Sequence, residues 1–547
     1  MYTENKGPGE PQPDDSSHPS PSDSGSTLSI NPATLGENGR VANTDMETMP
    51  KIFRRARDAQ QAWAETDYSH RATYVRRMRD YILDHADEIA EVISTDNGKT
   101  RTDAMTTEVM PCTLACNWYG KHAGRVLAPR SMFAAMASLV FYWKRHSLHR
   151  VPLGVVGIIS PWNYPLSIPF GEVIMGLMAG NAVILKVATA TPRVGETIEK
   201  IVRAGGLPEG LFQHVVASGG AVSTALLENG VDKIFFTGSV PVGKSLMAAA
   251  APTLTPLSLE LGGNDPMLVL ADADLELASN GAAWAGYQNA GQSCGGVERI
   301  YVHESVYEPF IDLLSRKTAA LTHGADSQFN VDMGAMTTEN QLNTVREHVQ
   351  DALDKGATIA AQSRRFGSEE GWYHPATLLT GVDHSMRVMQ EETFGPVLAV
   401  MKFSNVEEAV QLANDSDLAL TSSIWSRNKA VARELALRLE SGTTTINDHL
   451  YTHGMSEIPW GGWKLSGIGR THGAAGLEEM THLKVVNWDL MGGHKRNLWW
   501  YPLNETTYKA VKNAMHFGSP RSLSIYLRNT LALVPQLLKK MYTPWKP

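Results

Sequence analysis

Short apolar runs alternate with helix-like stretches from residue 154 onward, and this alternation constrains the fold more than any other feature. The apolar runs are GVVGIIS, NAVILK, FQHVVA and KIFFTGS, and the stretch TPRVGETIEKIVRAGG separates two of them. Strands and helices that alternate at this spacing predict parallel βαβ units in a doubly wound sheet. Such sheets bind ligands beyond the carboxyl ends of their strands. A second α/β region, with the runs ERIYVH and LALTSSIWS, extends from about residue 265 to 450.

The length of 547 residues predicts two or three domains, because one hydrophobic core seldom organises so long a chain. With 43% apolar and 19% charged residues, the protein is expected to be globular. Apolar residues three and four apart between positions 51 and 123 predict amphipathic surface helices. Residues 1–27 contain five prolines, six serines and few large apolar side chains, which predicts a disordered leader.

Three cysteines occur in the chain, Cys112, Cys116 and Cys294. They are too few for a disulfide framework, and their spacing predicts no metal site, so a reducing, cytoplasmic compartment is expected. The N-terminal sequence MYTENKGPGEPQPDD lacks the basic start and apolar core of a signal peptide, which agrees with that location. Within its loop YQNAGQSCGG, Cys294 could be a packing residue, half of a disulfide, a metal ligand or a nucleophile.

Charge is unevenly distributed along the chain. Residues 494–547 contain nine Lys or Arg residues and one acid, Glu505, which gives +8. Since the whole chain carries −8, the other 493 residues carry −16. Phosphate binding needs a concentrated basic surface, so the acidic body argues against nucleic acid as a partner. The basic tail could still bind an anionic partner.

Four further stretches place chemical groups near predicted strand ends, and each also has an ordinary structural interpretation. KIFFTGSVPVGKSLM leads through a glycine turn into a helix, whose amides can face a diphosphate. Lys186 ends the strand in NAVILK and either holds a ribose or lies in solvent. Glu260 in PLSLELGGND is a paired carboxylate or a general base. Asn163 in ISPWNYP is a turn residue or an oxyanion donor.

Seven segments together resemble the aldehyde dehydrogenase superfamily: PWNYP, KxxxxTP, FTGSxxxG, ELGG, GQxC, EETFGPV and PWGGxKxSGxGR, in the family's order over residues 28–490. The resemblance implies an α/β fold with a Rossmann-type parallel sheet in a cofactor domain, residues 28–123 and 151–261. It further implies a catalytic domain, residues 262–466, and a β oligomerisation arm, residues 124–150 and 467–493. A homodimer or homotetramer is the expected assembly.

The resemblance assigns the catalytic roles to three positions. Cys294 would be the nucleophile that attacks the aldehyde carbonyl and forms a thiohemiacetal, then a thioester. Asn163 and the backbone amide of Cys294 would stabilise the oxyanion. Glu260 would activate the water that hydrolyses the thioester to a carboxylic acid, which places the chain in the hydrolytic rather than the coenzyme-A-acylating branch.

The resemblance also assigns a cofactor set, which comprises Trp162, Lys186, Thr189, Gly238, Ser239, Gly243, Glu392 and Phe394. Lys186 and Glu392 would hold ribose hydroxyls, and Phe394 would pack near the nicotinamide ribose. The family often reads KPSE where this chain reads KVAT, so Thr189 replaces a glutamate that would repel a 2′-phosphate. Its absence weakens the case for a strict NAD preference, so NAD is kept as the first expectation and NADP stays open.

Aromatic residues favour an apolar aldehyde over a charged semialdehyde. Trp460 stands where the family commonly has phenylalanine, and Ala290 stands where it commonly has glutamine. The expected entrance residues, each of which could instead be an ordinary core residue, are Trp162, Trp284, Tyr287, Tyr451 and Trp460. The alternatives are a semialdehyde dehydrogenase for a carboxylate-bearing substrate and a non-catalytic scaffold on this fold.

Two segments exceed the usual family plan. SMFAAMASLVFYW, residues 131–143, precedes KRHSLHR in the predicted arm. The C-terminal tail, residues 494–547, mixes leucines with basic and aromatic residues, and Pro535 is expected to bend or break any helix there. This pattern suits a peripheral contact with a membrane surface, and covering a neighbouring subunit is the equal alternative.

Overall fold

The computed structural model describes residues 25–132, 144–368, 370–490, 492–519 and 521–544. Those within Met1–Val126 and Pro152–Met480 form one compact unit, and those within Leu127–Val151 and Thr481–Pro547 form a second. The strands are β1 Ser26–Ile30, β2 Glu37–Ala42, β3 Arg130–Met132, β4 Lys144–Pro152, β5 Val155–Ile159, β6 Ala182–Lys186, β7 Phe212–His214, β8 Lys233–Thr237, β9 Leu257–Glu260, β10 Asp265–Val269, β11 Val297–His303, β12 Thr322–His323, β13 Thr358–Gln362, β14 Arg364–Arg365, β15 Thr377–Thr380, β16 Val397–Phe403, β17 Leu418–Ala419, β18 Thr421–Trp425, β19 Thr443–Ile446, β20 Trp463–Lys464, β21 Gly467–Ile468 and β22 Thr481–Asp489. The helices are α1 Met49–Ala64, α2 Tyr68–Asp84, α3 Ala86–Asn97, α4 Arg101–Ala104, α5 Met110–Val126, α6 Ser167–Ala179, α7 Pro192–Gly205, α8 Gly219–Glu228, α9 Val240–Ala250, α10 Leu275–Tyr287, α11 Tyr307–Ala320, α12 Glu339–Asp354, α13 Arg387–Gln390, α14 Val406–Asn414, α15 Lys429–Ala436, α16 Gly473–Glu479, α17 Glu505–Gly518 and α18 Leu523–Tyr542.

A six-stranded sheet in the order β21-β9-β8-β5-β6-β7 lies in the first unit. Its strands from β9 to β7 are parallel, and β21 is an antiparallel edge strand. The chain order reverses between β5 and β8, because β6 and β7 lie on one side of β5 and β8 and β9 lie on the other. The predicted doubly wound parallel sheet is thereby confirmed. Ligands of such sheets bind where the strand order reverses, beyond the carboxyl ends.

Burial explains why these segments become strands and helices. Every residue of β5 and β6 is buried, as expected for strands whose two faces are both covered. Helix α7 begins with Pro192, which suits a first helical turn, and it buries Val194, Ile198 and Ile201 on one face. Helix α6 is buried along almost its whole length although it contains Glu172. A carboxyl group in such a helix needs a separate explanation.

A seven-stranded sheet in the order β13-β15-β16-β11-β10-β18-β19 forms the second α/β region of this unit. All neighbouring strands are parallel except β13, which is antiparallel to β15. Its core contains Ile300, Leu378, Leu398, Val400 and Ile424. This rigid sheet fixes the position of the loop that connects α10 to β11.

The second unit contains the three-stranded sheet β22-β4-β3 and a helical hairpin formed by α17 and α18. Strands β3 and β4 are antiparallel, and Nζ of Lys144 lies 2.6 Å from Oδ1 of Asp489 in β22. The hairpin has a small core of its own, made of Leu498, Ala510, Leu533, Leu537 and Met541. Residues 133–143 of the predicted apolar segment lie outside the described residues.

Two predicted boundaries differ from the structure. Ser26 and Thr27, assigned to the leader, lie in β1 and pair with β2, and residues 1–24 lie outside the described residues. Gly467, taken as the return of the arm, pairs instead with Glu260 in the six-stranded sheet. Backbone pairing of β21 with β9 keeps this segment in the first unit, and the second unit resumes at Thr481.

Of the two expected effects of Pro535, to bend or to break the tail helix, a break does not occur, since Pro535 lies inside the continuous helix α18. A proline in a helix removes the hydrogen bond to the carbonyl four residues earlier, here that of Leu531. Pro535 and Leu531 are both exposed, so water can satisfy this carbonyl. The exposed face therefore tolerates the proline.

Candidate active site

The carboxyl edge of the six-stranded sheet brings together residues that are distant in the chain. Lys186 ends β6, Glu260 ends β9, and Gly238 directly follows β8. Asn163 lies four residues after the end of β5. Because parallel strands present their carboxyl ends at one edge, four separate motifs meet there.

Cys294 lies in the loop between α10 and β11 and is a free, partly buried thiol. Its side chain packs against a small apolar cluster of Leu420, Leu450 and Trp460. The carbonyl of the next residue, Gly295, accepts hydrogen bonds from Nε2 of His449 at 2.9 Å and Oγ1 of Thr421 at 3.1 Å. The loop is thus held on both sides of the thiol, which remains partly accessible.

Asn163 is buried with its amide against the cysteine loop. Its Nδ2 donates to the carbonyl of Gln292 at 3.1 Å, two residues before Cys294. Its own carbonyl accepts from Nζ of Lys99 at 2.8 Å and from Nδ2 of Asn289 at 2.9 Å. The amide has a second N–H, as oxyanion stabilisation requires.

Two glycines allow the backbone and a carboxylate to approach closely beside the thiol. A Cβ on Gly262 would collide with the carboxylate of Glu392, and one on Gly263 would collide with the carbonyl of Cys294. The amide of Gly263 donates to Oε1 of Glu392 at 2.9 Å. The ELGG motif therefore joins Glu260, Glu392 and Cys294 in one place, because no larger residue fits there.

Glu260 is buried, and neither carboxylate oxygen has a hydrogen-bond partner among the described residues. Burial raises the pKa of Glu260 well above its usual range, and the charge of Glu172 raises it further. The guanidinium of Arg470 acts in the opposite direction. A buried carboxyl without partners is costly for stability, whereas a general base needs free oxygen atoms and a raised pKa.

The thiol of Cys294 is also strongly perturbed. Burial raises its pKa above the usual range, and the negative charges of Glu392, Asp265 and Glu260 add to the effect. The amide of Gly295 opposes the shift by hydrogen bonding to the sulfur. Without a bound positive charge, Cys294 is therefore expected to stay protonated.

The predicted cofactor residues surround the crevice next to this site. A Cβ on Gly219, at the start of α8, would lie 3.6 Å from Nζ of Lys186, so the lysine lies directly over that helix start. Ser239 is the N-cap of α9, and Gly243 packs that helix against Leu261. Amides at a helix start and a lysine suit an anionic diphosphate and its ribose, so these residues fit a dinucleotide.

Phe394 and Trp162 form the wall of the crevice near Glu392. Their rings meet edge to face with centroids 5.4 Å apart. The backbone of Phe394 is left-handed, with φ of 49°, and its amide donates to Oε1 of Glu298 at 2.8 Å. Thr189 lies three residues beyond Lys186, where it adds no negative charge to the crevice.

The predicted entrance residues do not all lie together. Trp460 is buried against Cys294, and its ring lies 5.2 Å from that of His453. Tyr287 lies in the core of the seven-stranded sheet, with its hydroxyl 3.2 Å from that of Thr318. Trp284 on α10 and Tyr451 are each nearly half exposed. Among these residues, only Trp460 contacts the thiol through the described apolar cluster.

Beside Trp460 lies a small cavity of about 20 Å³, whose lining includes Tyr119, Ser167, His453, Ser456 and His472. Burial lowers the pKa of His453 to about 3 and that of His472 to about 4, so both imidazoles are neutral. Within the described ranges, no group of three or more His, Cys, Asp or Glu side chains is arranged to hold a metal ion.

Sequence reasoning missed the buried acids Glu108 and Glu172 and the amides Asn289 and Gln292. Glu172 is the one charged residue in the otherwise apolar helix SIPFGEVIMGLMA, which was a usable signal. Asn289 lies in the same loop as Cys294, but its role depends on contacts with residues more than 120 positions away. No local pattern reveals such contacts.

Comparison with known proteins supports the same identity. The family model described as aldehyde dehydrogenase family matches residues 20–486. A 4,4′-diapolycopene aldehyde oxidase from Methylomonas sp is 37% identical over 481 residues, which is 88% of this chain and 89% of the relative.

Two solved structures extend the comparison. The NAD+ complex of an aldehyde dehydrogenase from Bacillus cereus aligns with a TM-score of 0.78 and 30% identity, over 85% of this chain and 94% of that one. A succinate-semialdehyde dehydrogenase from Burkholderia pseudomallei aligns with a TM-score of 0.80 and 31% identity, over 85% and 95%. The predicted family, fold and NAD(P) cofactor are thus confirmed: this chain belongs to the aldehyde dehydrogenase family of NAD(P)-dependent oxidoreductases.

Proposed function

We propose that this enzyme oxidises an apolar, lipid-derived aldehyde to the carboxylic acid, with Cys294 as nucleophile, Asn163 in the oxyanion site and Glu260 as general base. The thiol of Cys294 loses its proton to water, the resulting thiolate adds to the aldehyde carbon, and the amide of Asn163 donates to the oxygen that becomes negative. The bound nicotinamide cofactor supplies the hydride acceptor and a positive charge. The product on the enzyme is a thioester of Cys294.

Glu260 completes the reaction. It takes a proton from water, whose oxygen attacks the thioester carbon and expels the sulfur as thiolate. Free carboxylate oxygens and a pKa raised by burial support this role.

The substrate class rests on one observation, the apolar and carboxyl-lined surroundings of the thiol. Leu420, Leu450 and Trp460 supply its apolar contacts. The three ionisable groups that raise the pKa of Cys294 are all carboxyls. A carboxylate-bearing semialdehyde would bring a further negative charge to this place, whereas an apolar aldehyde would not. The guanidinium of Arg470, whose charge lowers the pKa of Glu260, donates from Nη1 to the backbone carbonyls of Gly462 and Gly469.

A series of aldehydes tests this proposal. Linear aldehydes of increasing length are compared with succinate semialdehyde by kcat/KM, with NAD and with NADP. We expect kcat/KM to rise with chain length, because each buried methylene contributes about 0.8 kcal/mol, roughly fourfold. Higher kcat/KM for succinate semialdehyde than for every linear aldehyde would overturn the substrate class. Zero turnover of all aldehydes would instead indicate the scaffold alternative.

We further propose that the tail hairpin contacts a membrane surface. Helix α18 exposes a stripe of six apolar side chains spaced three or four residues apart: Leu523, Leu527, Leu531, Val534, Leu538 and Tyr542. Such spacing places them on one face. Exposed Arg521, Arg528 and Lys539 flank the stripe, as in helices that bind anionic membrane surfaces. No helix among the described residues has the length and apolarity needed to cross a bilayer.

Point substitutions in the stripe test this contact. We expect Leu527→Ser, Leu531→Ser and Leu538→Ser together to reduce binding to phosphatidylserine vesicles about a thousandfold, at about 1.5 kcal/mol per leucine. Leu437→Ser is the matched control, because Leu437 is 91% exposed in the first unit. Unchanged vesicle binding by the triple variant would refute the membrane contact. Loss of oligomers without loss of vesicle binding would assign the stripe to a neighbouring subunit.

Homo-oligomerisation, as a dimer or tetramer in the cytoplasm, completes the proposal. Strand β22 is at the edge of its three-stranded sheet and exposes Leu483, Val485 and Trp488. An exposed apolar edge strand is suited to pairing with another chain. We expect Val485→Lys to lower the mass measured by light scattering. An unchanged mass would exclude this edge as the interface.

A further inference from the structure

A fully buried ion pair lies behind the oxyanion site. The side chains of Lys99 and Glu108 are both 0% exposed, and Nζ of Lys99 lies 2.6 Å from Oε1 of Glu108. Removing two charges from water is unfavourable unless good geometry and further hydrogen bonds compensate. The remaining bonds of this pair therefore indicate what it holds in place.

Those bonds all lead to the loop that carries Asn163. Nζ of Lys99 donates to the carbonyl of Asn163 at 2.8 Å and lies 4.5 Å above the ring of Tyr164. Oε2 of Glu108 accepts from the amides of Leu166 at 2.9 Å and Ser167 at 2.8 Å. Glu108 thereby caps the start of α6, and the pair holds the backbone from residue 163 to 167.

A second acid on the same helical segment holds the cysteine loop. Oδ2 of Asp103 accepts from the amide of Asn289 at 3.1 Å. Asn289 has a left-handed backbone, with φ of 52°, a conformation that asparagine adopts more readily than most residues. From this position its Nδ2 donates to the carbonyls of Asn163, at 2.9 Å, and Gln292, at 3.1 Å.

A π segment lies in the helical stretch that carries the two acids. Residues Met105–Val109 form a π segment between α4 and α5. In a regular α-helix, residues five apart lie on different faces, because one turn takes 3.6 residues. Glu108 lies within the π segment and Asp103 lies two residues before it, so the wider turn reduces the angle between their side-chain directions. Each then reaches one of the two loops that form the oxyanion site.

We propose that Glu108 and Asp103, together with Lys99, are positioning residues that set the amide of Asn163 against the Cys294 loop. None of the three touches the reacting atoms in this arrangement; each acts through a backbone or amide group. The inference rests on the proposed roles of Asn163 and Cys294. It assigns a function to a buried charge cluster that the chemical steps themselves do not use.

Glu108→Gln is the informative variant. The glutamine keeps the size of the side chain but has one acceptor oxygen for the two amides of Leu166 and Ser167, and it has no charge to pair with Lys99. Displacing a catalytic group by about 1 Å can cost roughly a hundredfold in rate. We therefore expect the rate of the first hydride burst to fall tenfold to a hundredfold.

Comparing the burst rate with the alkylation rate of Cys294 separates a positioning role from a general loss of structure. Alkylation of Cys294 by iodoacetamide forms no oxyanion, so its rate should change less than twofold in Glu108→Gln. Asp96→Asn is the matched control: Asp96 is also buried and accepts from the amides of Arg193, at 2.9 Å, and Val194, at 3.1 Å, at the start of α7. Its burst rate at saturating cofactor should stay within twofold of wild type.

Burst and alkylation rates are measured below each variant's unfolding transition, and Asp103→Asn serves as a second variant if Glu108→Gln does not fold. An equal loss of both rates, or a normal burst in the folded variants, would overturn the positioning role. Asn163→Ala distinguishes the underlying proposal: a normal burst in Asn163→Ala would refute the oxyanion role itself. If Asn163→Ala is slow, adding Glu108→Gln should slow it less than twofold more, because both changes act through one amide.

Discussion

Replacing Glu260 with glutamine should separate acylation of Cys294 from hydrolysis of the thioester. Glu260 is buried at the end of β9, and both of its oxygen atoms lack hydrogen-bond partners among the described residues. The substitution preserves size and removes the ability to accept a proton from water. Formation of the thioester does not use this group, so one equivalent of reduced cofactor should still appear rapidly.

The structure sets the expected magnitudes. A positioned general base contributes about 10²-fold to 10⁴-fold, so steady-state turnover should fall at least a hundredfold. The charge of Glu260 is one of three that raise the pKa of Cys294. Its removal lowers that pKa, so the burst rate at neutral pH should be equal to or higher than that of wild type.

Rapid mixing with a long-chain aldehyde and saturating cofactor measures both phases by the absorbance of the reduced cofactor. Hydroxylamine, which attacks thioesters without a general base, should restore turnover of Glu260→Gln. Glu479→Gln is a suitable control, because Glu479 also raises the pKa of Glu260 but forms an ion pair with Lys233. This variant should keep turnover within a few-fold of wild type.

Loss of the burst in Glu260→Gln, with cofactor binding intact by fluorescence titration, would refute the assigned role. Glu260 would then be required before the thioester forms. A burst followed by wild-type turnover would equally contradict the proposal, since another group would be the base. Hydroxylamine should leave turnover of the wild type almost unchanged, which checks that the rescue is specific.

Three further changes test other parts of the site. Burial raises the pKa of Glu172 from about 4.5 to about 8, so between these pH values the folded protein keeps a proton that the unfolded chain releases. In denaturant unfolding, the stability of the wild type should therefore fall as pH rises through this window, by up to about 1.4 kcal/mol per pH unit. Glu172→Gln should reduce this slope. Thr189→Glu should raise KM for NADP at least tenfold while changing KM for NAD little, because a carboxylate repels the 2′-phosphate; equal effects on both cofactors would contradict the position of Thr189. Trp460→Ala should lower stability by about 3–5 kcal/mol and reduce the kcat/KM advantage of long over short aldehydes, and an unchanged ratio would remove Trp460 from the substrate contact.

Local patterns sufficed for the architecture of the cofactor sheet. Apolar runs, glycine turns and helix starts are determined by neighbouring residues, and each predicted run from residue 154 to 238 is a strand in the structure. Segment ends were less predictable, as β1 and β21 show, because pairing with a distant strand decides them. The continuation of helix α18 through Pro535 also depends on the folded structure, since exposure to water rather than local propensity determines what the missing hydrogen bond costs.

The supporting residues of the site were hidden for physical reasons. Asp103 and Glu108 are five positions apart, a spacing that ordinary helical periodicity places on different faces. The structure has a π segment that contains Glu108, and each acid accepts hydrogen bonds from one of the two candidate-site loops. Tyr287, by contrast, lies near Cys294 in sequence, yet its hydroxyl lies beside Thr318. Proximity along the chain was a poor guide to proximity in space.

Residue types and their order were enough to identify the family and the NAD(P) cofactor and to predict a nucleophilic cysteine, because that chemistry needs particular groups at particular strand ends. Which groups surround the thiol could be known only from the folded chain. Asn163 donates a hydrogen bond to Gln292 in the Cys294 loop, which lies 129 residues later in the chain. Gly263 donates to Glu392, which also lies 129 residues later. The carboxylate oxygens of Glu260, which have no hydrogen-bond partner in the part of the chain that the structure describes, and the three carboxyls around the thiol depend on long-range packing, since burial and charge are properties of neighbours in space.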